Sequence, residues 1–263
     1  MQNVIKKLKE IESGTIGILI YSSEKQKIVS EYNREMSFPL ASAAKVAVGF
    51  SIAKCVEDKL FKWNDIVEDV NFNPNEDSKE LFPHFQQRST LSLREAVEVM
   101  IACHDSLVAN SIVQKCGGWE KVNNKIKSYF QNINITQNPR NLENSGKLSQ
   151  VFELLLLIFE GYRLSPDLWA PIINGLVRQR GDIDGIPTHF LNHMSGGLDN
   201  VVVDIGILGD LNHYPLLYVL GAKNLPNRSN FQFSDEKIIE AMKLLYQEYL
   251  NQSATNFEVE SHK

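Results

Sequence analysis

The sequence predicts an α+β fold with two lobes: a five-stranded antiparallel sheet flanked by the terminal helices, and an all-helical lobe beside it. Three observations predict this architecture. Two strand-like apolar runs lie near the N-terminus and three near the C-terminus, and turn residues separate them. Residues 41–181 show helical periodicity almost throughout. A helical pattern also occurs at each end of the chain. The strands from both ends should therefore share one sheet, with the two terminal helices packed against it.

The elements follow from these patterns in chain order. Residues 2–12 predict a short amphipathic helix, and strands follow at 14–23 and 27–33 on either side of a polar turn. The helices expected in the middle lobe cover residues 42–60, 91–103, 105–116, 119–130, 147–162 and 165–179. The remaining elements are strands at 189–196, 201–208 and 214–222 and a final helix over 234–250, capped by Ser234.

These elements assign the whole chain, residues 1–263, to a single domain. Its α/β lobe comprises residues 1–40 and 182–251, its helical lobe residues 41–181, and its polar tail residues 252–263. The length is compatible with one compact two-lobed domain. Because ligands commonly bind in clefts, the site is expected between the two lobes.

The composition excludes several classes of partner and cofactor. With 43% apolar residues, 22% charged residues and a net charge of −5, the chain has the profile of a soluble globular protein and no basic face for nucleic acid. No apolar stretch is long enough for a membrane span. Cys55, Cys103 and Cys116 lack CxxC spacing, which favours free buried thiols over a disulfide or a metal site, and no cofactor is expected.

The N-terminal residues lack the basic start, apolar middle and small-residue cleavage site of a secretory signal. The sequence as written therefore predicts a cytoplasmic protein, and a removed leader would instead imply a periplasmic or extracellular one. The expected partner is a small-molecule or peptide substrate, and the oligomeric state stays open.

The first chemical signal is the pair Ser42 and Lys45. Residues i and i+3 share a helix face, so the lysine amine can reach the serine hydroxyl. Serine is a weak nucleophile without a nearby base, and burial lowers the pKa of a lysine so that its neutral form can accept a proton. The alternative is that Ser42 only caps the helix and Lys45 lies in solvent.

Two further triplets give this pair a context. Residues 104–106 are His-Asp-Ser and residues 194–196 are Met-Ser-Gly. In order, spacing and predicted setting, the three motifs resemble the SxxK, SDN and KTG motifs of class A β-lactamases and penicillin-binding proteins. The resemblance covers nearly the whole chain and includes Asn110 and the glycines at 117–118. It implies a β-lactamase/transpeptidase-like fold and a divergent serine hydrolase.

The resemblance assigns roles to the second triplet. His104 stands where the family has a serine that relays a proton to the leaving group, and an imidazole can also act as a general acid. A structural role between the lobes is the alternative. Asp105 matches a structural aspartate that holds the turn, and Asn110 matches a residue close to it. Ser106 replaces an asparagine that contacts the substrate amide.

The third triplet lacks the family's cation. Met194 replaces the lysine that lies beside the substrate carboxylate, and a thioether cannot replace an ammonium group. His193 could supply a charge only if the strand register were shifted by one residue. Ser195 preserves a hydroxyl and Gly196 a close backbone approach, so these four residues are expected to bind substrate.

The resemblance also implies an oxyanion hole from the backbone N–H groups of Ser42 and of a residue just after Gly196, which we assign to Leu198. Asp204, on the following strand, matches a family aspartate and is expected to be structural. The segment that carries the family's deacylating glutamate is short here, and Glu143 is its sole carboxylate. Glu143 is either that general base or an acid that stabilises the start of the next helix.

Two functions follow from the sequence. The first is a serine hydrolase that acts through a Ser42 acyl-enzyme on an amide, an ester or a β-lactam, with weak activity on common β-lactams. The second is a catalytically silent binding module with the same fold. A Ser-His-Asp triad with His104 or His193 as base is a further arrangement, although Lys45 is better placed by sequence.

Overall fold

The structure, a computed structural model, describes residues 1–260, with side chains described through residue 252. Its strands are β1 (Thr15–Ser22), β2 (Lys27–Tyr32), β3 (Ser37–Pro39), β4 (Ile66–Val67), β5 (Leu91–Ser92), β6 (Ile133–Asn134), β7 (Ser145–Lys147), β8 (Leu191–Leu198), β9 (Val201–Leu208) and β10 (Leu216–Lys223). Its α-helices are α1 (Gln2–Leu8), α2 (Ala44–Glu57), α3 (Ser78–Leu81), α4 (Leu93–Ala102), α5 (Ser106–Lys115), α6 (Trp119–Lys127), α7 (Leu148–Leu164), α8 (Pro166–Arg178) and α9 (Phe233–Glu260).

Five strands form the main sheet that the sequence predicts, in the order β2-β1-β10-β9-β8, and every neighbouring pair is antiparallel. Strands from the two ends of the chain meet where β1 pairs with β10, as expected. β8 is an edge strand, and beside it lies the 3₁₀ turn Ala41–Ala43, which contains Ser42. The unpaired edge of a strand presents N–H and C=O groups that another chain can use.

The two faces of this sheet bury separate hydrophobic cores. Side chains of one face, such as Ile18 and Tyr218, pack against α1 and α9. Side chains of the other face, such as Leu19 and Val219, pack against the helical lobe. Successive side chains of a strand point to opposite faces, so burial on both faces explains why β1 and β10 are almost continuously apolar. The predicted α+β architecture is confirmed.

The helical lobe also contains short strands, so the prediction of an all-helical segment over 41–181 is wrong in this detail. β4 pairs with β5, and β3, β7 and β6 form a three-stranded sheet. Strands of two or three residues are too short to show a period of two in the sequence. The three-stranded sheet shapes the site, because β3 leads to Ser42 while β6 and β7 enclose residues 135–144.

The terminal helices differ in length from the predicted ones. α1 ends at Leu8 rather than at residue 12, and α9 continues to Glu260 rather than ending at residue 250. The predicted polar tail over 252–263 is thus helical as far as Glu260, and its last three residues lie outside the described part. The three cysteines are free thiols. Within residues 1–260, no helix combines the length and apolar character that a membrane span requires.

Candidate active site

Ser42 lies in the 3₁₀ turn immediately before α2. One interpretation of the sequence makes Ser42 only a helix cap, but neither the turn nor α2 has a side-chain cap hydrogen bond. That interpretation is wrong because the turn satisfies its own donors, with the N–H of Ala43 donating to Leu40 O at 2.9 Å. The half-buried hydroxyl of Ser42 is therefore not committed to holding the helix.

The residue before the serine has a strained backbone. Ala41 has φ +46°, in the left-handed region that non-glycine residues rarely adopt, and such a conformation costs about 1–3 kcal/mol. Asn144 holds it from the facing loop. Its Nδ2 donates to Ala41 O at 3.1 Å, and its backbone O accepts from the N–H of Leu40 at 2.7 Å. Strain of this kind concentrates at functional sites.

Lys45 lies on α2, three residues after the serine, and only 5% of its surface is exposed. It is therefore not the solvated lysine of the alternative interpretation. Burial lowers the pKa of Lys45 to about 8, although the carboxylates of Glu76 and Asp105 oppose that shift. A lysine with this pKa is partly neutral close to pH 7, so its amine can accept a proton.

The edge of β8 lies against the 3₁₀ turn that contains Ser42, and Gly196 is the point of contact. A Cβ on Gly196 would be 2.9 Å from the backbone N of Ser42 and 3.2 Å from the Cβ of Ala41, so this approach requires a glycine. The close backbone approach expected from the sequence is thus present. Leu198 follows on the same strand, and its carbonyl accepts a hydrogen bond from Arg228 Nη1 at 3.1 Å.

His104 lies between α4 and α5 with a left-handed backbone, φ +55°. Its Nε2 is 2.8 Å from Nε2 of Gln179. Burial lowers the pKa of His104 to about 4, and the nearby cations Lys45 and His193 contribute to that shift. The imidazole is therefore neutral at pH 7, which leaves it without the extra proton that a general acid donates.

His193 belongs to a buried polar cluster under the sheet. Its Nδ1 is 2.8 Å from Asp204 Oδ1, and the hydroxyl of Tyr218 donates to the same oxygen at 3.1 Å. Burial lowers the pKa of His193, but the charge and hydrogen bond of Asp204 and a hydrogen bond with the Gly181 backbone outweigh it, so the net shift is upward. His193 thus pairs with a carboxylate of the protein, and Asp204 makes the structural contacts expected of it.

Met194 does not line the cleft. Its side chain is fully enclosed in the core that faces the helical lobe. The register pairs Met194 with Ile205 and Ser195 with Asp204, so the strand is not shifted by one and His193 does not occupy the position of the family lysine. The expected contact between Met194 and a substrate is therefore not retained, because alternation along the strand turns this side chain inward.

Asp105 holds the start of α5. Its Oδ1 accepts from the backbone N–H groups of Leu107 at 2.9 Å and Val108 at 3.1 Å, and its Oδ2 accepts from that of Asn73 at 2.9 Å. Asp105 is completely buried, and burial raises the pKa of its carboxyl despite these hydrogen bonds. It therefore joins α5 to the loop around Asn73, in agreement with a structural role.

Ser106 and Lys45 line one narrow cavity beside the 3₁₀ turn that contains Ser42. Its lining residues are Ala41, Ala44, Lys45, Val48, Ser106, Ala109, Trp119, Thr136, Gln137 and Pro139. Asn110 fixes the loop side of this cavity, because its Oδ1 accepts from Gln137 Nε2 and from Trp119 Nε1, both at 3.3 Å. The structure therefore brings the predicted residues Ser42, Lys45 and Ser106 to one region.

Glu143 does not belong to that cavity. Its side chain is exposed, and its hydrogen bonds are made by the backbone, which accepts from Asn134 Nδ2 and donates to Asn141 Oδ1. The loop 135–144 instead presents Thr136 and Gln137 beside Lys45. The structure therefore does not bring Glu143 together with Lys45 and Ser106.

A groove of about 500 Å³ continues from the end of β8. Its lining residues are Arg140, Gly197, Leu198, Asp199, Asn200, Arg228, Ser229 and Asp235. Arg228 forms a two-point ion pair with Asp235, at 2.7 and 2.8 Å, so its charge is already matched. This groove can hold the part of a substrate that extends along β8 from the reacting atoms.

Sequence reasoning missed several residues of this site, among them Gln179, Asn144 and Glu76. Glu76 is half-buried, and burial raises the pKa of its carboxyl. No motif indicates these residues, since each one acts through a contact with a distant part of the chain. Among residues 1–252, whose side chains the structure describes, no group of three His, Cys, Asp or Glu side chains could hold a metal ion.

Comparison with known proteins gives one family and one fold. The chain matches the β-lactamase enzyme family over residues 1–250. It is similar to a PBP-A variant solved as an acyl-enzyme complex with penicillin G, with TM-score 0.77, 19% identity, and coverage of 95% of this chain and 96% of that one. It is also similar to a β-lactamase from Chitinophaga pinensis, with TM-score 0.77, 17% identity, and coverage of 94% and 98%. An ancestral class A β-lactamase gives TM-score 0.72, 15% identity, and coverage of 94% and 98%. None of the curated proteins compared with the sequence matches it.

Proposed function

Because this chain belongs to the β-lactamase enzyme family, we propose that it is a serine hydrolase in which Ser42 forms an acyl-enzyme and Lys45 accepts the serine proton. The observation that carries the proposal is the pairing of a serine hydroxyl that caps no helix with a buried lysine three residues later, whose pKa is about 8. A hydroxyl beside such an amine is an activated nucleophile.

In the proposed reaction, Ser42 Oγ attacks the carbonyl carbon of the substrate while its proton passes to Lys45 Nζ. The carbonyl oxygen becomes negative and accepts hydrogen bonds from backbone N–H groups of Ser42 and of residues 196–198. The bond to the leaving group then breaks, and the leaving atom takes the proton from Lys45. The open edge of β8 suits an extended amide substrate, which can pair with it as an additional strand.

We propose amides and esters without a nearby carboxylate as the favoured substrates, and weak activity on common β-lactams. Met194 is enclosed in the core, His193 is paired with Asp204, and Arg228 is paired with Asp235. On β8 a substrate carboxylate would therefore lack the cation that the family lysine supplies, although Arg140 lines the adjoining groove, and loss of a charged partner typically costs about 2–5 kcal/mol.

A catalytically silent binding module is the second candidate, and the cavity beside Lys45 favours it in one respect. None of the residues lining that cavity is a carboxylate, so an acyl-enzyme would lack an acidic residue there to activate water. In the proposed enzyme, this slows hydrolysis and favours transfer of the acyl group to an amine.

The test is a side-by-side measurement of kcat/KM for nitrocefin, benzylpenicillin and an uncharged nitrophenyl ester, with Ser42→Ala as the control. We expect the wild type to turn over the ester and Ser42→Ala not to do so. We also expect kcat/KM for benzylpenicillin to be lower than that for the ester by roughly 30-fold or more. Equal kcat/KM values for the ester and for benzylpenicillin would contradict the proposed preference for substrates without a carboxylate. No turnover beyond that of Ser42→Ala with any substrate would favour the binding module.

A further inference from the structure

Gln179 connects the end of α8 to His104. It directly follows α8, is 7% exposed, and its Nε2 is hydrogen-bonded to the carbonyl of Arg180 while lying 2.8 Å from His104 Nε2. A carbonyl oxygen can only accept a hydrogen bond, so the amide must present its NH₂ group rather than its oxygen on this side. The second N–H of that group therefore faces His104 Nε2, and this nitrogen must be an acceptor.

We propose that Gln179 is a positioning residue that fixes His104 as the neutral tautomer with its proton on Nδ1, so that His104 serves the reaction at Ser42 as a stationary hydrogen-bond donor and not as a proton carrier. The inference rests on the proposed function, because it assigns His104 a part in the reaction at Ser42. It also replaces the general-acid role that the family resemblance implies for His104.

The surroundings of His104 support the neutral form. Burial is the main factor that opposes protonation of His104, and the charges of Lys45 on α2 and of protonated His193 on β8 oppose it further. Its Nδ1 makes no hydrogen bond within the described residues and is not among the enclosed polar atoms that lack a partner, so it is accessible. The ring is therefore bonded to Gln179 at one nitrogen and open at the other.

The segment 179–181 contacts both histidines of the site. Gln179 bonds to His104, while the Gly181 backbone bonds to His193, and a Cβ on Gly181 would lie only 2.5 Å from His193 Nε2. The other end of the Gln179 amide, Oε1, is buried without a partner among the described residues. An unpaired buried oxygen is unfavourable for stability, so packing alone would favour an apolar side chain at this position.

The fixed tautomer defines what His104 can do for a substrate. With Nε2 occupied, the neutral ring can only donate from Nδ1, and losing that proton would create an imidazolate. His104 would thus stabilise negative charge as it develops on the leaving oxygen or nitrogen, while the proton that this atom takes up comes from Lys45. A donor aimed at developing charge lowers the barrier without moving its own proton.

The experiment uses the full-length, ¹⁵N-labelled protein. Long-range ¹H–¹⁵N correlations of the histidine rings, assigned with His104→Asn, report the tautomer and its titration. We expect the proton on Nδ1 and no protonation until the pH approaches the His104 pKa of about 4. A proton on Nε2 at neutral pH would overturn the proposal.

Variants link this tautomer to the reaction. In Gln179→Glu the carboxylate accepts from Nε2, so the proton should move there, the pKa of His104 should rise, and acylation of Ser42 by an uncharged ester should fall roughly 10-fold or more. Gln179→Met should also acylate more slowly, yet melt at an equal or higher temperature. Gln114→Glu, the same change at an exposed position on α5, should behave like the wild type.

The outcomes separate the two proposals. The role of Gln179 would be overturned if Gln179→Glu acylated at the wild-type rate. It would also be overturned if Gln179→Met acylated slowly and a lower melting temperature explained the loss. Failure of the wild type to acylate with any reagent would instead overturn the proposed function, and the ring spectra would still show whether Gln179 sets the tautomer.

Discussion

The two walls of the cleft shift the pKa of their buried basic residue in opposite directions. On the helical wall, formed by the 3₁₀ turn with Ser42 and by Lys45 at the start of α2, the lysine is buried and its pKa falls to about 8. On the strand wall, formed by β8, the cation is His193, which is buried in an ion pair with Asp204, and its pKa is raised. The first wall holds a group whose protonation can change near neutral pH, whereas the second holds a histidine whose protonated form is stabilised by its carboxylate partner.

This difference separates two tasks within one family fold. A proton acceptor must change its charge during the reaction, so burial without a close carboxylate partner suits Lys45. A paired histidine contributes to stability. It also changes the electrostatic potential at its neighbours, and one such neighbour is His104. We therefore expect changes on the helical wall to affect activity first, and changes on the strand wall to affect stability first.

The largest effect should come from Ser42→Ala. Removing the nucleophile should lower ester hydrolysis by roughly 10³-fold or more. Because the hydroxyl caps no helix, the free energy of unfolding should change by less than about 0.5 kcal/mol. Hydrolysis assays and urea unfolding of the same preparation measure both quantities. Activity that survives in this variant would place the nucleophile elsewhere.

Lys45→Met should separate activity from stability. Acylation should fall by roughly 10²–10³-fold because the proton acceptor is lost. Stability at pH 7 should rise, by up to about 3 kcal/mol, because methionine does not carry a charge into the interior. The gain should be full below pH 8, where folded and unfolded wild type are both protonated, and should shrink as the pH rises from about 8 towards the ordinary value of 10.5. Urea unfolding across this range checks the sign, and a variant less stable than wild type at pH 7 would contradict the account.

Asp204→Asn tests the strand wall. Removing one partner of a buried ion pair typically costs about 3–5 kcal/mol, and this loss should be measurable by urea unfolding. Since the pKa of His193 is raised in the folded protein, its stabilising contribution is full below the unfolded value near 6.5 and is lost as the pH rises through the folded value. The difference between variant and wild type should therefore narrow in alkaline solution. An undiminished difference there would show that the carboxylate acts through packing instead.

Glu143→Gln should have the smallest effect. The side chain is exposed and lies outside the cavity beside Lys45, so acylation and deacylation rates should each change by less than about twofold. Pre-steady-state kinetics with a chromogenic ester separates the two rates. A deacylation rate that drops sharply would make Glu143 the general base after all, and would require the loop 135–144 to move.

The sequence was sufficient for the main sheet and for the helix that carries Lys45, for a physical reason. Strand and helix periodicity is local, and it predicts a helix that carries Lys45, although Ser42 lies in the 3₁₀ turn just before that helix. The short strands β3, β6 and β7 carry too little pattern to be recognised, yet they hold Asn144 against Ala41. Their effect on the site was therefore invisible in the sequence.

The strand wall could not be predicted because its chemistry depends on contacts between distant segments. Whether Met194 faces the cleft or the core depends on the alternation of β8 within the assembled sheet, and it faces the core. The bond between His104 and Gln179 joins residues 75 positions apart. Nothing near either residue in sequence indicates that the histidine is neutral or which ring nitrogen carries the proton.

The most direct test of the central claim is the rate at which a fluorophosphonate labels the protein between about pH 6 and about pH 9. Intact-mass measurement gives the rate, and peptide mapping gives the site. We predict one adduct on the peptide that contains Ser42, formed at a rate that rises through a pKa near 8, absent from Ser42→Ala and slow in Lys45→Met. An adduct at another residue, a rate that does not follow this titration, or no adduct would contradict the assignment of Ser42 and Lys45 as nucleophile and proton acceptor.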